Sequence, residues 1–149
     1  MNVPDFELQL ADEALIPEAL LASLRSRTTS MVLAASADEA LDQPLELCLR
    51  LVDDAEIRAL NRDYRGHDRP TDVLAFALRE APGGEAAPHV LGDVVVSVET
   101  AERQRRSSLE DELVHLFAHG LCHLLGYDHG ADREEAEMNT RIARMLETA

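Results

Sequence analysis

Phe6, Leu8 and Leu10 alternate with polar residues, and this period of two predicts a short strand near the start of the chain. Pro17 suits the first turn of a helix, and Leu20, Leu21, Leu24, Met31 and Val32 supply its apolar face, so a helix is expected to about Ala37. Ser26 to Ser30 is poor helix material and is expected to weaken the middle, because hydroxyl side chains compete for backbone hydrogen bonds. The strictest alternation sets Leu45, Leu47, Leu49 and Leu51 against Glu46, Cys48 and Arg50, which predicts a second strand. Asp53 or Asp54 can then cap a helix running through Ile57 and Leu60 to about Tyr64.

Gly66 and Pro70 mark Arg65 to Thr71 as a loop. Val73 to Leu78 reads as a third strand. Arg79 to His89, rich in Pro, Gly and Ala, reads as a mobile connection. Leu91 to Val98 carries three valines in succession and is expected to be a buried strand. A short helix is expected over Glu99 to Arg106. Ser107 with Glu110 matches a capping box, and Glu110, Asp111 and Glu112 suit the positive end of the next helix. Leu113, Leu116, Phe117, Leu121 and Leu124 give that helix a buried stripe up to Gly126, and a last amphipathic helix uses Ala136, Ile142, Ala143, Met145 and Leu146. The order predicts one α+β (α/β-like) domain over residues 1–149, with a roughly four-stranded mixed sheet packed with helices.

Charge alters the picture. The formal net charge is −15, which opposes a phosphate-backbone partner, although the local field outweighs the sum. Every basic side chain apart from the histidines is arginine, which is read as genome composition in preference to selection for arginine's bidentate fork. The acidic start, with no basic residue before Arg25, predicts no signal peptide, and no apolar run approaches a membrane span. Cys48 and Cys122 are isolated, which fits a reduced, cytoplasmic setting.

The candidate chemistry lies in the run from His119 to His129. His119 and His123 are four residues apart, so they share one helix face and can converge on one metal ion. Gly126 can end the helix in a left-handed conformation, and the turn that follows can bring His129 back as a third ligand. Three nitrogens leave a fourth position open for water, the pattern of a catalytic zinc. His115 shares the same face and is the alternative third ligand. It sits about 12 Å up the helix axis from His123, so His129 is preferred and His115 is assigned to orienting a ligand or substrate. His67 and His89 are read as ordinary surface or satisfied histidines. The pattern His-x-x-x-His-x-x-Gly-x-x-His matches metzincin proteases, but their general-base Glu follows the first His, and that position here is Gly120. Asp128 is the nearest replacement carboxylate, or else a turn-former or a partner to a ligating histidine. Cys122 points about 100° from the histidine face, given 3.6 residues per turn, and is read as core packing.

The chain closely resembles the YbeY family of single-strand-specific metallo-endoribonucleases. His-Gly-x-x-His-Leu-x-Gly-Tyr-Asp-His is that family's hallmark and stands here from His119 to His129. Upstream, Leu60-Asn61, Tyr64-Arg65-Gly66, Asp68 and Pro70-Thr71-Asp72-Val73-Leu74 also match, as does Leu91-Gly92-Asp93-Val94-Val95-Val96-Ser97. The family commonly has Lys at the position of His67, Ser at that of Ala75 and Pro at that of Ala77.

The resemblance implies one zinc ion per chain held by His119, His123 and His129, on a C-terminal metal-binding helix. It implies that Arg65 lies near the metal and acts with His119 in catalysis. It further implies cleavage of single-stranded RNA in 16S rRNA 3′-end maturation and ribosome quality control. The partners would be rRNA and the ribosome or its associated proteins, with no membrane and no DNA expected. Arg58, Arg62, Arg65 and Arg69 cluster at a helix end and loop, either as a solvated face paired with Asp63, Asp68 and Asp72 or as a phosphate clamp. Two rival functions are a metzincin-like metalloprotease and a non-catalytic ribosome-assembly factor with a structural metal.

Overall fold

The computed structural model describes residues 3–126 and 132–148. Strands β1 (Asp5–Leu10), β2 (Glu46–Val52), β3 (Val73–Ala77) and β4 (Val90–Ser97) form one sheet in the order β1-β2-β4-β3. β1 and β4 flank β2 in parallel, and β3 runs antiparallel on the outer edge of β4. The mixed four-stranded sheet read from the sequence is therefore present. Helices α1 (Glu18–Glu39), α2 (Asp54–Arg65), α3 (Val98–Gln104), α4 (Leu109–Leu124) and α5 (Asp132–Thr148) complete the chain. Among the described residues, no helix is long and apolar enough to cross a membrane.

The period of two sorts each strand between two cores. Leu47, Leu49 and Leu51 of β2 and Val94 and Val96 of β4 join the large core with α1, α4 and α5. Val52, Val95 and Leu74 point the other way and pack with Ile57 of α2 in a smaller cluster. Helix α4 lies deep in the large core, with Leu113, Val114, Leu116, Phe117, Ala118, Leu121, Cys122 and Leu124 all buried. Phe117 meets the ring of Phe6 from β1 at 5.5 Å.

The helix expected to about Ala37 is present and runs unbroken through residues 26–30, where Thr28 Oγ donates to the Leu24 carbonyl at 2.8 Å and Ser30 Oγ to that of Ser26 at 3.1 Å. Other local expectations are corrected. Ser108, not Ser107, caps α4: its Oγ accepts from the Asp111 amide at 3.0 Å, while Ser107 Oγ donates to the Asp111 carboxylate. Ala143 lies on the exposed side of α5, whereas Ile142 and Met145 are buried. The 79–89 connection holds two short 3-10 turns, and Arg79 ties it down by donating to the Pro88 carbonyl at 2.6 Å and to Glu39 at 2.8 Å.

Candidate active site

The edge strand β3 and helix α4 enclose a cleft of about 1360 Å³. That exceeds the range of roughly 300–1,000 Å³ usual for small-molecule sites, so the cleft has room for a polymer segment. One long wall is β3 from Val73 to Ala77, and the other is the open stripe of α4 at His115, His119 and His123. The spacing of four that aligns these histidines also makes them the face of α4 that the core leaves uncovered. His119 and His123 are half-buried and His115 is exposed. Nε2 of His115 stands 3.1 Å from Nε2 of His119, with the rings edge to face at 4.6 Å.

Gly120 explains why the helix sits where it does. A Cβ there would lie 2.4 Å from Cγ1 of Val94 and 2.9 Å from its Cγ2, so α4 approaches β4 more closely than any side chain permits. The position at which metzincins carry their base is therefore filled by the sheet. Helix α4 ends at Leu124, and Gly126 follows with φ +102°, its amide donating to the His123 carbonyl at 3.1 Å. The positive φ matches the expected helix stop. His129 and Asp128 lie outside the described residues. Two imidazoles on one face of one cleft suit zinc in donor chemistry, since imidazole nitrogen is a preferred zinc ligand.

Arg65, the last residue of α2, lines the same cleft. Asp53 caps that helix by accepting from the Glu56 amide at 2.8 Å, and Gly66 ends it with φ +76°, where only glycine sits without strain. Of the four clustered arginines, only Arg65 lines the cleft. Arg58 pairs with Asp68 at 2.9 Å and Arg62 with Asp63 at 3.0 Å, on the solvated face. The hydrogen bond from Arg58 holds the Asp68 carboxyl below its usual range. Arg65 makes no ion pair among the described residues, so its guanidinium is available to an anion.

The loop after α2 is anchored by Asn61, which is 2% exposed and donates from Nδ2 to the Arg69 carbonyl at 2.9 Å. Asn61→Ala is expected to cost about 1 kcal/mol, the net worth of one hydrogen bond. Asn61→Asp should cost more, because a carboxylate would face the Arg69 carbonyl. Urea unfolding midpoints check both, and an unchanged midpoint for Asn61→Ala would mean the loop is held by something else.

Sequence reading missed other cleft residues. Arg27 and Arg106 also line it, and Arg27 is held by Glu110 at 2.7 Å and Asp111 at 3.0 Å. Gln104 bridges Asp72 and Glu112, donating to each at 3.0 Å. These residues come from α1, α3, α4 and the loops beside them, and no local pattern links them. Asp72 does not pair with an arginine of the cluster; it caps the Val73 amide at 2.7 Å. His67 and His89 stand away from the cleft lining. Burial pushes the Cys122 thiol up to about 12 and, with nearby Asp93 and Glu7 adding to it, the Cys48 thiol up to about 11. Cys122 packs against Met145 with sulfur atoms 3.9 Å apart, in keeping with a core role.

A family model described as Endoribonuclease YbeY matches residues 16–149. A Bacillus licheniformis protein named Endoribonuclease YbeY is 39% identical over 149 residues, covering 93% of this chain and 92% of that protein. One of the same name from Desulfitobacterium hafniense is 44% identical, covering 85% of this chain and 86% of its own length. The Synechococcus elongatus protein of that name is 56% identical over 107 residues, or 68% of this chain and 62% of that protein. A solution structure of a Thermotoga maritima protein superposes with a TM-score of 0.63 at 28% identity, covering 96% of this chain and 87% of that one.

Proposed function

The chain belongs to the Endoribonuclease YbeY family, and from that premise we propose that it is a metal-dependent endoribonuclease hydrolysing phosphodiester bonds of single-stranded RNA. The observation that carries this reading is that Arg65, which makes no ion pair among the described residues, lines the same polymer-sized cleft as His119 and His123. His119, His123 and His129 would hold the metal, which we assign as one zinc. When bound, zinc supplies Lewis acidity that polarises a phosphoryl oxygen and acidifies water.

The remaining work falls to the chain itself. Arg65 donates its planar fork to non-bridging phosphate oxygens and stabilises the charge that builds there. Phosphoryl transfer asks mainly for positioning and charge stabilisation, so the absence of a Glu at position 120 is no obstacle. Arg106 and Arg27 line the same cleft, but Arg27 is paired with Glu110 and Asp111, and Asp72, Glu80 and Glu112 line it as well, so the phosphate contact rests on the local field of Arg65 and not on a positive cleft. The physiological setting we propose is cytoplasmic: 16S rRNA 3′-end maturation and ribosome quality control, with rRNA and the ribosome or its associated proteins as partners.

The test is cleavage of labelled single-stranded RNA with and without chelator, by wild type and Arg65→Ala. Chelation should abolish cleavage. Arg65→Ala should lower kcat by roughly 10²-fold, the usual loss for one charge-stabilising donor. Its circular dichroism should be unchanged, because Arg65 is exposed. Chelator-insensitive cleavage, or full activity in Arg65→Ala, would sink the reading.

A further inference from the structure

We propose that Tyr64 is a base-stacking platform of the cleft, receiving one nucleobase of single-stranded RNA beside the phosphate held by Arg65. This rests on the endoribonuclease reading and states how the same site grips its substrate. Tyr64 is 70% exposed, and it is the single aromatic among the exposed large apolar side chains of the described residues. The chain has two Tyr, three Phe and no Trp, so leaving one of five aromatic rings in water forgoes scarce burial. The exposed ring is not at random on the surface. It lines the cleft with Arg65, and Leu78, another exposed apolar residue at 45%, lines it too.

The ring is also held. Phe76 of β3 meets it edge to face, with centroids 5.2 Å apart and planes at 72°. An edge contact fixes the ring while leaving aromatic surface open to solvent. Tyr64 stands in the last turn of α2, whose end is fixed by the Gly66 cap. An aromatic next to an arginine, both lining one cleft, is the combination that grips single strands: the cation takes the phosphate and the ring takes the base. Such stacking is tolerant of base identity because every base has a π-face.

The experiment is fluorescence anisotropy with a labelled single-stranded RNA oligonucleotide and an abasic ribose-phosphate strand of equal length. Wild type, Tyr64→Ala, Tyr64→Phe and Tyr64→Trp are compared. Tyr64→Ala should bind the RNA roughly 10- to 100-fold more weakly, the range found when a stacking aromatic is truncated. It should bind the abasic strand as wild type does, and the Phe and Trp variants should keep wild-type affinity for RNA. Undiminished RNA binding by Tyr64→Ala would overturn the proposal and leave the exposed ring to a protein partner. An equal loss on the abasic strand, or a Phe variant as weak as Ala, would overturn it as well. If wild type cleaves RNA while Tyr64→Ala matches it throughout, this proposal alone fails. If wild type neither binds nor cleaves RNA, the endoribonuclease reading falls with it.

Discussion

His119→Ala is expected to lose zinc and, with it, RNA cleavage, while remaining folded. Zinc affinity should drop by roughly 10²-fold or more, because even partners one shell beyond the ligands cost 10–100-fold when removed. Folding should survive, since His119 lies on the stripe of α4 that faces the cleft and not on the faces packed against β4, α1 and α5. Elemental analysis of the purified variant gives the metal content, and competition with a chelating dye gives the affinity, independently of activity. His115→Ala separates the alternative ligand set. His115 touches His119 at 3.1 Å, so its loss should disturb the site mildly if His129 is the third ligand. A deficit in His115→Ala as deep as that of His119→Ala would make His115 a ligand. Zinc retained at full stoichiometry by His119→Ala would remove the metal centre from this helix.

Features set by sequence spacing alone were the legible ones. The histidine stripe needs only the 3.6-residue period, and the strand faces need only alternation at Leu47, Leu49 and Leu51. The left-handed stop at Gly126 was readable for the same local reason. Helix α1 was legible from its apolar face and Pro17, while the burial of Thr28 and the bond of its hydroxyl to the Leu24 carbonyl are tertiary and local details that Ser and Thr propensity does not show. The arginine cluster looked uniform in sequence. Only the fold separates Arg65, turned to the cleft, from Arg58 and Arg62, paired with Asp68 and Asp63. Arg27 joins the site from α1, anchored on Glu110, a partner more than eighty positions away that no sequence window reaches. Tyr64 was visible only as part of a motif, because exposure and ring contact are tertiary properties.

Gly120→Glu, which would rebuild the metzincin pattern, is expected to prevent folding instead of restoring a base. The direction of a Cβ at this position is toward Val94, which is 0% exposed and, being β-branched, has little rotamer freedom to yield. A carboxylate placed there would be buried against valine without a partner, at several kcal/mol on top of the clash, out of a total stability of about 5–15 kcal/mol. Gly120→Ala is the measurable form of the same conflict. Alanine improves a helix interior by about 1 kcal/mol, but overpacking costs about 1–3 kcal/mol, and a 2.4 Å contact makes the second effect win. Urea unfolding of Gly120→Ala, Val94→Ala and the double variant forms a cycle. The double variant should be clearly more stable than the sum of the single losses, because Val94→Ala removes the atoms that the new methyl meets. Strict additivity would mean that close approach of α4 to β4 does not dictate this glycine. Rescue in the double variant would tie the absence of a carboxylate after the first histidine to packing of the helix that carries the candidate metal ligands.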